Sequence, residues 1–277
     1  MLSSQFFPAD DVQKKDSIQQ AGDAPLLVFL HGFLGSSDDW RETLSYLSEF
    51  DRLCLDLPGH GESVGIHTES FSTCCAQITK SVLARLQSEQ ISLERPIVVV
   101  GYSLGARLAM MGTVKCDFAP LNIQALLLEG GNFGLQDEAQ RHERWRSDAQ
   151  WARRFNEEPI EQVLSDWYRQ RVFSSLKDAQ RQTLIAKRSD NLGPAVAKML
   201  LATSLAKQPD CLDALRQLTL AITYVCGEQD EKFKQLAQRS GLHLCCVENA
   251  GHNVHVEQPQ RFAEQVRAQC IALAARS

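Results

Sequence analysis

The sequence predicts an α/β class: a mostly parallel sheet flanked by helices, with a helical insertion. Three observations carry this. Short apolar runs alternate with longer stretches of helical pattern, the helical pattern alone continues from residue 134 to 205, and strand-like runs then return before a closing amphipathic helix. Strand and helix repeated in this way mean βαβ units.

The elements follow in order. "LLVFL" (Leu26 to Leu30), "RLCLDL" (Arg52 to Leu57), "IVVVGY" (Ile97 to Tyr102) and "ALLLEG" (Ala125 to Gly130) are continuous apolar runs bounded by turn residues. Runs of this kind read as strands buried on both faces. Beyond Gly134, "RHERWRSDAQWARRF", "VLSDWYRQRVF" and "LGPAVAKMLLATSLAKQPD" are polar or amphipathic at helical spacing. Trp145, Trp151, Trp167 and Tyr168 are expected to form the insertion's own core, with Trp167 able to face a site as well. Strands resume at "LAITYVCG" and "LHLCCVE", and "PQRFAEQVRAQCIALAA" closes the chain as a helix. The expected division is a core of residues 1–133 and 206–277 with a helical cap, 134–205.

With 44% hydrophobic and 23% charged residues, the chain matches neither a disordered nor a fibrous class. The net charge of −5 and the lack of a Lys/Arg block argue against nucleic acid as a partner. "MLSSQFFPADDVQKKDSIQQ" lacks the order of a signal peptide, and no apolar run approaches the ~18 residues of a membrane span, so a cytoplasmic protein is expected. Nine cysteines without C-x-x-C spacing read as reduced, mostly buried thiols. No metal or cofactor is expected.

The chemistry concentrates at three strand ends. Gly101-Tyr102-Ser103-Leu104-Gly105 is G-x-S-x-G between a buried strand and a helix, the setting in which the serine hydroxyl projects at the carboxyl end of the sheet. A serine needs a base, itself oriented by a carboxylate. Asp230 after one later strand and His252 after the next complete the order Ser, Asp, His of an α/β-hydrolase fold. Glu129 and Asp56 are rival acids, and His31, His60 and His255 rival bases, but His252 is the histidine that directly follows the last strand. They are expected to hydrogen-bond loops. Phe33, past the first of these strands, and Leu104, at a helix N-terminus, would offer backbone N–H groups to an oxyanion. "DLPGHGES" is a structural loop.

Arg107 lies one helical turn beyond Ser103. A guanidinium buried there needs an anion, which an internal carboxylate pinning the insertion or a ligand would supply. The stretch Arg141, Arg144, Arg146, Arg153 and Arg154, with only Glu143 and Asp148 among them and Arg188 later, reads mainly as a solvated face. One or two of these reaching inward with Arg107 would make a polyanion site.

"HGFLGSSDDW", "DLPGHGES", "GYSLGAR", "LLLEGGNFGL", "LSDWY", "AKRSDNLG", "YVCGEQDEKF" and "AGHNVHVEQPQRF" together resemble the MenH family of α/β-hydrolase-fold enzymes, the SHCHC synthases of menaquinone biosynthesis, from about Leu27 to Phe262. The resemblance implies a lyase that eliminates pyruvate from an enolpyruvyl tricarboxylate and leaves a conjugated cyclohexadiene. It implies that Ser103, His252 and Asp230 act as a base relay, that Arg107, Arg144 and Arg188 hold carboxylates, and that Tyr102 and Trp167 stand beside the site. Ala106 stands where the family often has a second glycine. Two other readings remain: an esterase or thioesterase acting on an acidic acyl group, and a non-catalytic binding protein of the same fold, against which a complete triad argues.

Overall fold

The apolar runs assemble into one sheet. In a computed structural model, which describes residues 1–10 and 24–275, seven strands are arranged β1-β3-β2-β4-β5-β6-β7. They are β1 (Ser4–Phe7), β2 (Leu26–Leu30), β3 (Arg52–Leu55), β4 (Ile97–Tyr102), β5 (Ile123–Glu129), β6 (Ala221–Gly227) and β7 (His243–Val247). All neighbours run parallel except β1, which pairs antiparallel with β3 at the edge. The sequence reading did not anticipate β1. "SQFF" is too short and too polar to show a period, and its pairing is made by the backbone of β3.

The unbroken apolar character of the central strands has a direct cause. In β2, Leu26, Val28 and Leu30 enter one core, with helices Phe71–Ser88 and Leu104–Val114. Leu27 and Phe29 enter the other, with Trp40, Leu44, Phe262 and Val266. Both faces are covered, so alternation disappears.

Between β5 and β6 lie four longer helices, Glu138–Glu157, Ile160–Trp167, Asp178–Arg188 and Gly193–Ala202. They carry a third core that includes Ala152, Phe155, Val163, Leu164 and Val196, with Trp151, Trp167 and Phe33 packed on it. A Cβ at Gly193 would meet the Phe155 carbonyl oxygen at 2.1 Å, so only glycine lets these two helices cross so closely. Trp145 departs from expectation: it stays exposed on the first helix, with Lys207 over its ring.

No helix among the described residues is long and apolar enough to cross a membrane. The reading of the first twenty residues as lacking a signal sequence falls partly on 11–20, outside the described residues. All nine cysteines are free thiols; Cys116 and Cys246 are exposed.

Candidate active site

Ser103 sits between β4 and the helix Leu104–Val114 at φ 49°, ψ −101°. Such a conformation costs about 1–3 kcal/mol for a residue with a side chain, so the surroundings must impose it. They do so through the Ser103 N–H, which donates to the Glu129 carbonyl at 2.7 Å. Close crossing does the rest: a Cβ at Gly105 would lie 2.0 Å from the Leu30 oxygen, and one at Gly101 would lie 2.6 Å from the Ala106 nitrogen.

Asp230 ends the loop after β6. One carboxylate oxygen caps the helix Glu231–Ser240 by accepting the Phe233 N–H at 3.3 Å, and the other accepts Nδ1–H of His252 at 2.6 Å. The proton is thereby held on Nδ1, leaving Nε2 as the basic nitrogen. Phe233 stacks on the imidazole at 4.8 Å and Tyr102 lies 5.4 Å away. Ser103 and His252 line the same cavity, of about 740 Å³. Among the described residues no hydrogen bond joins them, a looseness common in resting Ser–His pairs.

Phe33, Tyr102, Arg144, Trp167 and Asp230 also line this cavity. Phe33 belongs to the turn after β2, which two imidazoles bolt to the loop after β3. His60 donates from Nδ1 to the Pro58 carbonyl and accepts the Leu34 N–H at Nε2, 3.0 Å. His31 donates from Nδ1 to the Gly32 carbonyl and accepts the Leu57 N–H at 2.9 Å. Both rings are therefore neutral. Burial lowers both, His60 to about 3. Leu104 occupies the first position of its helix, where a backbone N–H has no intrahelical acceptor.

The rival groups have other partners. Asp56 accepts the Ser37 and Glu62 N–H groups, holding its loop. Glu129 meets His255, not His252, with Nδ1 at 2.8 Å and the His255 backbone N–H at 3.2 Å.

The predicted arginines separate. Arg144 lines the cavity and presents Nε to both oxygens of Asp148 at 2.9 Å. Arg107 stands outside the lining, donating to the Gln208 side chain and the Thr203 carbonyl at 2.6 Å each, with Phe71 against its guanidinium. It pins the return from the insertion through neutral oxygens and not through the carboxylate that a pinning role was expected to use. Burial, and then the nearby Arg144, bring it down to about 9. Arg188 also lies outside the lining. It donates to Asp39 at 2.6 Å, tying the insertion to the segment after β2, and Lys187 reaches the same carboxylate at 2.9 Å. Burial opposes the charge of Arg188, but Asp39 and then Tyr168 outweigh it and raise the guanidinium above its usual range.

Lys232 and Arg171 line the cavity and were missed in the sequence. Lys232 stands two residues after the predicted acid, which was a usable signal; Arg171 carried none. Among the described residues no group of three or more His, Cys, Asp or Glu is placed to hold a metal ion.

A family model described as the alpha/beta hydrolase family matches residues 27–265. The 2-succinyl-6-hydroxy-2,4-cyclohexadiene-1-carboxylate synthase of Serratia proteamaculans is 47% identical over 249 residues, covering 90% of this chain and 94% of that one. A Yersinia pseudotuberculosis protein of the same name is 46% identical over 250 residues, covering 90% and 88%. Among solved structures, MenH from S. aureus superposes with a TM-score of 0.82 at 23% identity, covering 98% of each chain. A thermophilic esterase from Thermogutta terrifontis reaches 0.68 at 20% identity, covering 98% and 93%. At these identities the two structural matches speak for the fold alone.

Proposed function

We infer that this chain, which belongs to the α/β hydrolase family, is a 2-succinyl-6-hydroxy-2,4-cyclohexadiene-1-carboxylate synthase of menaquinone biosynthesis. It is a lyase that eliminates pyruvate from 2-succinyl-5-enolpyruvyl-6-hydroxy-3-cyclohexene-1-carboxylate. The observation that carries this reading is the 47% identity, across nine-tenths of the chain, to a protein of that name. A cytoplasmic setting, a small tricarboxylate as substrate and no nucleic-acid partner belong to the same proposal, as does the division into a core of 1–133 and 206–277 with a cap of 134–205.

The site residues act as follows. His252, held by Asp230, takes the proton of Ser103, and the serine oxygen removes the acidic hydrogen beside the succinyl ketone. The electron pair of that C–H bond moves onto the ketone oxygen, which rests on the Phe33 and Leu104 N–H groups. Collapse of this enolate forms the C2=C3 double bond, moves the ring's existing double bond from C3=C4 to C4=C5 and breaks the bond from C5 to the enolpyruvyl oxygen. The departing enolate takes up a proton and becomes pyruvate, so no covalent intermediate on Ser103 is needed. The geometry supports this order, because the Asp230–His252 bond leaves a basic Nε2 beside the cavity that Ser103 lines. Arg144 meets one carboxylate in the cavity. Arg107 and Arg188 serve the others only if substrate draws them from their present protein partners. Tyr102 and Trp167 shape the apolar wall.

The test supplies the enolpyruvyl substrate to the purified protein, couples pyruvate to lactate dehydrogenase, and runs p-nitrophenyl acetate in parallel. Rapid pyruvate release with poor ester hydrolysis is expected. Ester hydrolysis without pyruvate would keep the fold and overturn the lyase.

A further inference from the structure

Three cations line the cavity, and they differ in what holds them. Arg144 has Asp148. Lys232 and Arg171 form no ion pair among the described residues, and Asp230 attracts Lys232 only through space. The acids that could have neutralised Lys232 are occupied. Asp230 accepts from His252 and from the Phe233 N–H, and Glu231, which also borders the cavity, pairs with Lys234 at 3.2 Å.

The position of Lys232 is electrostatically adverse. It falls in the first turn of the helix Glu231–Ser240, whose dipole disfavours a cation at that end. Arg144 adds like charge, which Asp230 partly offsets. Its placement is nevertheless specific. Nζ stands 5.1 Å from the centre of the Phe233 ring, and that ring stacks on His252 at 4.8 Å. The charge thus stands on the histidine side of the cavity, on an exposed residue at the rim. Arg171, also exposed, reaches the cavity from the short 3-10 turn Arg171–Phe173, whose Phe173 ring lies 6.2 Å from His252. Two elements far apart in sequence bring unpaired cations to the side where the base stands. An anion there would relieve both the helix-end penalty and the repulsion from Arg144.

We propose that Lys232 and Arg171 form a further carboxylate subsite at the rim of the cavity, on the His252 side, taking one carboxylate of the tricarboxylate substrate. This rests on the function inferred above. The three arginines implied by family resemblance are already bonded to Asp148, to Gln208 and Thr203, and to Asp39, whereas these two cations are available without breaking any bond.

The experiment is steady-state pyruvate release by the full-length protein carrying Lys232→Gln, Arg171→Gln or both. Each single change should raise KM about fivefold to tenfold with kcat within about twofold, the scale of a partly screened ion pair. Lys232→Arg should restore most of the affinity. Raising salt should increase KM less in the double variant than in the wild type. Lys234→Gln, which removes a charge on the same helix that is already paired with Glu231, should leave KM unchanged. Unchanged KM in both single variants, with wild-type pyruvate release intact, would overturn the subsite alone. Absence of pyruvate from the wild-type protein would overturn the lyase reading, and the subsite with it.

Discussion

Among the described residues stand two buried histidine–carboxylate pairs, one on each side of Tyr102, and they differ in what they face. His252 meets Asp230 at 2.6 Å and His255 meets Glu129 at 2.8 Å. Tyr102 packs against both rings, 5.4 Å from His252 and 4.7 Å from His255, and its hydroxyl donates to the side chain of Asn253 between them. His252 lines the cavity with Ser103. His255 is sealed between Trp40, at 4.3 Å, and Phe262. Glu129 spends its remaining capacity on structure: its carboxylate accepts the His255 backbone N–H, and its carbonyl accepts the N–H of Ser103. Pairing with an acid therefore does not make a histidine a base. Access to the cavity and to the serine does, while the sealed pair holds the loop of one and the backbone of the other in place.

The largest expected effect separates the two pairs by activity. Ser103→Ala and His252→Ala should each lower kcat by roughly 10³-fold while the melting curve stays close to that of the wild type, since Asp230, unlike Glu129, borders the cavity, where water can meet the carboxylate left behind. The comparison breaks if His255→Ala matches that loss with an unchanged melting curve. Glu129→Ala and His255→Ala should instead cost about 3 kcal/mol of stability, because each leaves a buried partner uncompensated. Denaturant titration reads this directly, with only secondary loss of rate. Next in size, Arg107→Ala leaves the Thr203 carbonyl and the Gln208 oxygen without their donor. A loss of about 1–3 kcal/mol should accompany reduced kcat/KM, and calorimetry beside the kinetics separates the two.

The smallest effect is one of pH. His60 is lowered from 6.5 to about 3 when folded, chiefly by burial. The unfolded chain therefore binds a proton at pH values where the folded protein does not, so this contribution to stability is full above about 6.5 and falls as pH drops towards 3. His31 acts in the same direction. A melting-temperature profile should decline through that window, and His60→Gln should flatten the decline. A profile unchanged by the substitution would remove His60 from the account.

Much of this was legible in the sequence because the signals were local. Gly101, Ser103 and Gly105 fall within one short strand–turn–helix stretch, and Asp230 and His252 each follow an apolar run that forms a strand. The edge strand β1 was not legible, since its four residues are fixed by pairing with β3 and not by their own pattern. Nor could spacing show where Arg107 and Arg188 would find their hydrogen bonds. Gln208, Thr203 and Asp39 are remote in sequence, and a guanidinium on a long stem selects its partner only once the fold is built. Trp145 kept the helical spacing of its neighbours but lies on the outer face of its helix, which a period alone does not reveal.

The most direct measurement is the time course of pyruvate release at saturating enolpyruvyl substrate, run side by side for the wild type, His252→Ala and His255→Ala. Fast release by the wild type, near-complete loss in His252→Ala, and a folded fraction of His255→Ala that turns over at close to the normal rate are expected. Loss of turnover in folded His255→Ala with retention in His252→Ala would contradict the assignment of His252 as the base.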